Sequence, residues 1–274
     1  MTAAASDGDS WWGDVRLAVG EAARWRIGPL SLSVSRGRRE WQLAYDWDPD
    51  RSESQDWERL DDALGEDPEH QERYVVGETG ERIDLRPALA DRPVVSLPRV
   101  PLHLLPQREV TLFVGSPVWV AVAAGDPTVQ LRELPSRRLS DTWFGGSTRH
   151  GELCYANLTR ACLNPDNLPI LSRTAVTPVR IRNEAPSPLD LERLKLPVPR
   201  LSLFCDPQNR LWTEGVTLTR TEESDMASLD VREGAPAEAD GAELLTPPRD
   251  ATETSSLVRA FSSLLGLGRS EAPE

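Results

Sequence analysis

"LSLSVSRGRREWQLAYDW", residues 30–47, decides the fold class of this 274-residue chain. Leu30, Leu32 and Val34 alternate with three serines. After the Gly-centred turn "RGRR", Trp41, Leu43, Tyr45 and Trp47 alternate with Gln42, Ala44 and Asp46. Successive side chains of a strand point to opposite faces, so this pattern reads as a β-hairpin with one half-buried face.

The same period recurs along the chain. "TPVRIRN" (177–183) alternates, and "LSLFC" (201–205), the turn "DPQN" and "RLWTEGVTLT" (210–219) read as a second hairpin. "EVTLFV" (109–114) and "PVWVAVAA" (117–124) are apolar on both faces, as central strands are. The 23 prolines punctuate these strands, with almost no helical periodicity before residue 250. These features predict an all-β chain, an antiparallel β-sandwich (one large or two packed), with its body over residues 11–220.

Charge is distributed unevenly. Of the net −13, residues 46–81 carry −11 and residues 221–274 carry −8, which leaves +6 on the remainder. The first block predicts an acidic insertion over 48–80 with a short helix around "DWERLDDAL" (56–64). The second is polar and poor in aromatics, which predicts a disordered acidic linker over 221–254. All basic residues but Lys195 are arginines, and they form no clustered stripe, so nucleic acid is not an expected partner.

No run approaches the roughly 18 apolar residues of a membrane helix. The acidic start "MTAAASDGDSWWGD" does not read as a secretory signal, and three sparse cysteines fit no disulfide framework. The expected compartment is the cytoplasm.

After the linker comes "SSLVRAFSSLLGLG" (255–268). Leu257, Val258, Phe261, Leu264 and Leu265 share one stripe at helical spacing. The expectation is an amphipathic helix that docks a protein partner, with Phe261 and Leu264 at its energetic centre. Replacing both with aspartate is then expected to abolish partner recovery and leave the melting of the β-body unchanged.

The densest polar stretch is "PSRRLSDTWFGGSTRHGELCYA" (135–156), which supplies the ligand-site candidates Ser140, Asp141, Trp143, Arg149 and His150. It reads as an ordered surface loop over 135–150, pinned to the core by Trp143 and able to bind. The alternative is a hydrolase or small-ligand enzyme centred on this loop. Ser140, Asp141 and His150, or Cys154 with His150, would then act as nucleophile, orienter and base. No G-x-S-x-G elbow surrounds any serine, and "FGGS" lacks the Lys-Ser/Thr of a phosphate loop. The spacing of His150, Cys154, Cys162 and Cys205 matches no zinc ribbon or finger, so neither metal nor cofactor is expected. Among nine tryptophans, Trp41, Trp47 and Trp119 read as core, and Trp11, Trp12 and Trp57 as candidates for exposure.

Three stretches carry a resemblance: "WWGDVRLAVGEAARWRIGPLSLSVSR" (11–36), "LSDTWFGGSTRHGELCYA" (139–156) and "PVRIRNEAPSPLDLERLKLPVPRLSLFCD" (178–206). Together they resemble a prokaryotic family catalogued as domain of unknown function 432, over residues 11–220 with the acidic tail outside. The resemblance implies no catalytic residues. It implies an association with genes for small-conductance mechanosensitive channels, and hence a partner at a membrane channel complex. The functional expectation is a non-catalytic binding or accessory module acting through protein–protein interaction.

Overall fold

The computed structural model describes residues 10–51, 56–60, 68–98, 100–125, 128–147, 150–159, 161–222, 224, 226–250 and 255–262. Among the described residues, every regular element is a strand apart from two single 3₁₀ turns at Pro165–Asn167 and Val198–Arg200. The chain divides into two compact units, one of Met1–Ala88, Pro117–Arg138 and Leu171–Arg173, the other of Leu89–Ser116, Leu139–Ile170 and Thr174–Glu274.

The first unit is built on the hairpin of residues 30–47, β3 (Leu30–Arg36) and β4 (Glu40–Trp47). Their register sets Leu30 opposite Trp47, Leu32 opposite Tyr45 and Val34 opposite Leu43, so the two apolar faces coincide. Gly37 N–H donates to the Glu40 carbonyl at 2.8 Å and closes the turn. β2 (Ala22–Ile27), β5 (Trp57–Leu60) and β6 (His70–Val75) complete a five-stranded sheet in the order β5-β2-β3-β4-β6. Gly28, between β2 and β3, has φ +58°, and a Cβ there would lie 2.5 Å from the Arg173 side chain, so only glycine fits this turn.

The unit's second sheet has four strands, β1 (Gly13–Arg16), β7 (Arg82–Ala88), β11 (Trp119–Ala124) and β12 (Val129–Pro135). All pairings in these two sheets are antiparallel. Trp25, Ile27, Leu32 and Trp41 of one sheet and Ile83, Leu85, Val120 and Val122 of the other are buried, as a sandwich interior requires. The Trp47 indole N–H donates to the Pro135 carbonyl at 2.8 Å and ties the sheets along one side.

Among its described residues the second unit has three sheets. β10 (Arg108–Pro117), β15 (Thr174–Asn183), β18 (Leu203–Cys205), β19 (Leu211–Thr213), β20 (Val216–Arg220), β21 (Met226–Val231), β22 (Glu243–Thr246) and β23 (Ser255–Arg259) form the largest. β8 (Val94–Pro98), β13 (Ser140–Ser147), β14 (His150–Thr159), β17 (Arg193–Leu196) and β24 (Phe261–Ser262) form the second, ordered β13-β14-β8-β17-β24. β9 (Leu102–Leu104) and β16 (Leu189–Leu191) form a two-stranded ladder.

Antiparallel pairs dominate this unit as well, but β14/β8, β15/β19 and β15/β20 are parallel. Hairpin signals in a sequence report only antiparallel neighbours, so these pairings leave no local trace. The β18–β19 hairpin turns on "DPQN" as expected. Asp206 Oδ1 accepts from the backbone N–H of Gln208 and Arg210 at 2.9 Å each, and its Oδ2 from the Trp212 indole at 2.8 Å.

Four expectations are corrected. The helix expected over 255–268 is, in its described part, strands β23 and β24, with Ala260 buried between them and Phe261 buried in β24; residues 263–268 lie outside the described residues. β23 pairs with β21 and β24 with β17, so burial against two sheet edges overrides a helical stripe too short to hold itself. The stretch 221–254, expected as a disordered linker, contains β21 and β22. Ala227, Leu229 and Val231 of β21 point inward at period two, enough apolar burial to order an acidic segment.

The described part of the acidic insertion supplies strands β5 and β6, and residues 57–60 are strand where a helix was expected. Trp11, a candidate for exposure, is 2% exposed, and its indole donates to the Ser172 carbonyl at 3.0 Å.

Candidate functional site

From Ser140 on, the described part of the polar stretch 135–156 is paired strand rather than loop. β13 and β14 pair with Asp141 opposite Tyr155, Trp143 opposite Leu153 and Gly145 opposite Gly151. Trp143 is 41% exposed and is not the buried anchor expected; Phe144, one residue on, takes that place at 1%. The Trp143 ring lies instead against Gly151, where a Cβ would sit 2.6 Å from the indole nitrogen and 2.8 Å from the Phe144 carbonyl oxygen. The glycine therefore serves close approach across the hairpin.

Strand alternation then divides the side chains. Phe144 and Cys154 turn to the face they share with Val95 and Leu97 in a small apolar cluster. Arg193 and Lys195, alternate residues of β17, reach the same face, with their charged ends 5.2 and 5.7 Å from the Phe144 ring centroid. Cations over an aromatic face are favoured by its quadrupole. Arg193 also donates to Thr142 Oγ1 at 3.0 Å and to the Trp143 carbonyl at 3.1 Å. Lys195 pairs with Glu152 of β14.

This face forms part of a cleft of about 580 Å³ within the second unit. Phe144, Gly151, Glu152 and Lys195 line it from the sheet; Met226, Leu229, Val258 and Arg259 from β21 and β23; Pro197, Pro199 and Arg200 around the second 3₁₀ turn. Asp91, Arg92, Pro93 and Asp250 complete the lining. The volume falls in the range of ligand sites, and the lining mixes apolar side chains with charged groups of both signs.

Beside it, Arg92 donates to Asp141 at 3.3 Å and lies over the Tyr155 ring at 5.2 Å, and the Tyr155 hydroxyl donates to Asp91 at 2.9 Å. Burial, then the bond to the Asp91 carboxylate, raises the Tyr155 pKa above its ordinary value.

The sequence candidates are dispersed over this frame. Asp141 is held by Arg92, and Ser140 is exposed on β13 opposite Ala156. Arg149 lies outside the described residues, as does the side chain of His150, whose backbone pairs with Ser147. Burial, then the nearby Glu152 carboxylate, pushes the Cys154 thiol up to about 11, which suppresses the thiolate a nucleophile needs.

Of the expected partner-binding residues, Val258 lines the cleft, and Phe261 is buried in the unit where β24 pairs with Leu194. Leu257 sits in β23 opposite Ser228; Leu264 and Leu265 lie outside the described residues. Among the described residues no three His, Cys, Asp or Glu side chains gather as a metal site.

Arg92, Glu152 and Lys195, which the structure places on the cleft lining, were not among the sequence candidates. The one available signal was Lys195 itself, a single lysine in a chain whose other basic residues are all arginine.

A family model described as "Protein of unknown function (DUF432)" matches residues 11–265. The match runs through the acidic C-terminal stretch that was expected to lie outside the resemblance. No curated protein and no solved structure matches the chain.

Proposed function

We propose that this chain, which belongs to the family described as Protein of unknown function (DUF432), is a non-catalytic module that binds a partner protein through the cleft of its second unit. The observation that carries the reading is the cleft itself: an apolar floor at Phe144 with Lys195 and Glu152 beside it, set on paired strands. Sites mounted on strands hold their geometry better than sites on loops, which suits recognition. The hydrolase alternative draws less support, because Asp141 is engaged by Arg92 and the Cys154 thiol is buried.

No helix among the described residues is long and apolar enough to cross a membrane. The reading places the module in the cytoplasm, with the cytoplasmic segments of a mechanosensitive channel as the first partner to try.

The test is affinity recovery from the native host with the wild type and with Arg92→Glu/Met226→Lys, both on the cleft lining. The reading expects a partner with the wild type, its loss with the variant, and equal melting temperatures. Undiminished recovery with the variant contradicts it.

A further inference from the structure

We propose that the cleft recognises a carboxylate carried beside an apolar side chain, as on an acidic–apolar polypeptide segment, by exchange at the Lys195–Glu152 pair. The inference rests on the cleft being the binding site. Lys195 and Glu152 are unequally buried, the lysine side chain 11% exposed and the glutamate 44%. The ammonium is thus fixed in the cleft over Phe144, while its carboxylate partner stands at the solvent edge.

A buried charge needs a partner, but the partner need not be this one. A ligand carboxylate arriving from solvent can take the place of Glu152, which is then released to water. The exchange keeps Lys195 neutralised throughout and disrupts only a partly exposed pair, of modest worth.

The surroundings select what accompanies that carboxylate. Phe144, Met226, Leu229 and Val258 line the same cleft and accept an apolar side chain next to the acid. Arg92, Arg200 and Arg259 join Lys195 on the lining against Asp91, Glu152 and Asp250, with Asp141 beside Arg92. Asp91 already accepts the Tyr155 hydroxyl, and Glu152 is the acid that leaves. Once it has left, the balance favours an incoming anion.

The test is calorimetric titration of the full chain at low salt with acetyl-ELELE-amide, acetyl-QLQLQ-amide and octanoate. The wild type should bind the glutamate peptide, and the glutamine peptide at least about tenfold more weakly. Glu152→Gln, which removes the competing charge, should bind the glutamate peptide roughly fivefold more tightly. Lys195→Met keeps the apolar stem over Phe144 and should bind about tenfold more weakly, while Lys195→Arg restores most of the affinity.

Octanoate binding with the same dependence on Lys195 supports the exchange with a free amphiphilic acid as the source. Equal binding of both peptides, an unaffected Lys195→Met variant, or no binding of any acid overturns the proposal. Partner recovery lost in Arg92→Glu/Met226→Lys would still leave the cleft as the binding site, so the two readings fail separately.

Discussion

Truncating Phe261 to alanine separates a structural C-terminal segment from a docking one. The ring is 1% exposed, beside Ala260 at 0%, where β24 pairs with Leu194 of β17. Removing a fully buried phenylalanine costs about 3–5 kcal/mol, as lost transfer energy plus the cavity left behind. The backbone bond from Lys195 N–H to the Ala260 carbonyl, 3.0 Å long, does not depend on the ring and survives the change. The lower part of that range, about 3 kcal/mol, is therefore expected. Guanidinium unfolding followed by far-ultraviolet circular dichroism reads it as a lower midpoint. A loss below about 1 kcal/mol would mean that the ring is not core, and would restore the segment as a surface for partners.

Other consequences are smaller but as direct. Gly151→Ala should destabilise by about 1–3 kcal/mol, because its Cβ would meet both the Trp143 ring and the Phe144 carbonyl. Adding Trp143→Ala should relieve only the ring's share, and full recovery in thermal melts would show that the carbonyl contact is harmless. Cys154, with its thiol held near 11, should resist iodoacetamide at pH 8 until the protein unfolds; mass spectrometry showing native labelling at the rate of a solvated thiol would contradict its burial.

Glu214 is buried, and desolvation raises its pKa despite the Ser202 N–H donated to it at 2.5 Å. A raised carboxylate pKa favours the folded state while the group is protonated. Wild-type stability should therefore fall relative to Glu214→Gln as the pH rises from 4.5 through the folded value. Parallel pH–stability curves for the two proteins would refute this.

How much of this was legible in the sequence follows from where each element finds its partner. β3 and β4 could be read because hairpin neighbours are close in sequence and alternate strictly over residues 30–47. β21 carries the same alternation in "MASLDV", but the acidic composition around it outweighed a six-residue pattern. The segment at 255–262 could not be read locally. Leu257, Val258 and Phe261 fit a helical stripe as well as a strand, and the choice is made by β21 and β17, about 30 and 67 residues upstream.

The candidate stretch 135–156 lies partly on the cleft, through residues other than those its chemistry suggests. Ser140 and Asp141 drew attention by residue type, whereas the groups that reach the cleft are Phe144 and Glu152. These meet Lys195 only through β17, more than 40 residues on, and strand alternation sends Asp141 and Trp143 to the other face. Spatial neighbours contributed by separate strands leave no spacing motif.

The most direct test of the cleft is amide hydrogen exchange on the full chain, with and without the partner recovered from the native host. The account predicts that protection on binding concentrates in residues 91–93, 144, 151–152, 195–200 and 226–229, the segments that contribute to the cleft lining. Protection confined to the first unit, around Tyr45, Trp47 and His70, with the cleft segments unchanged, would contradict it.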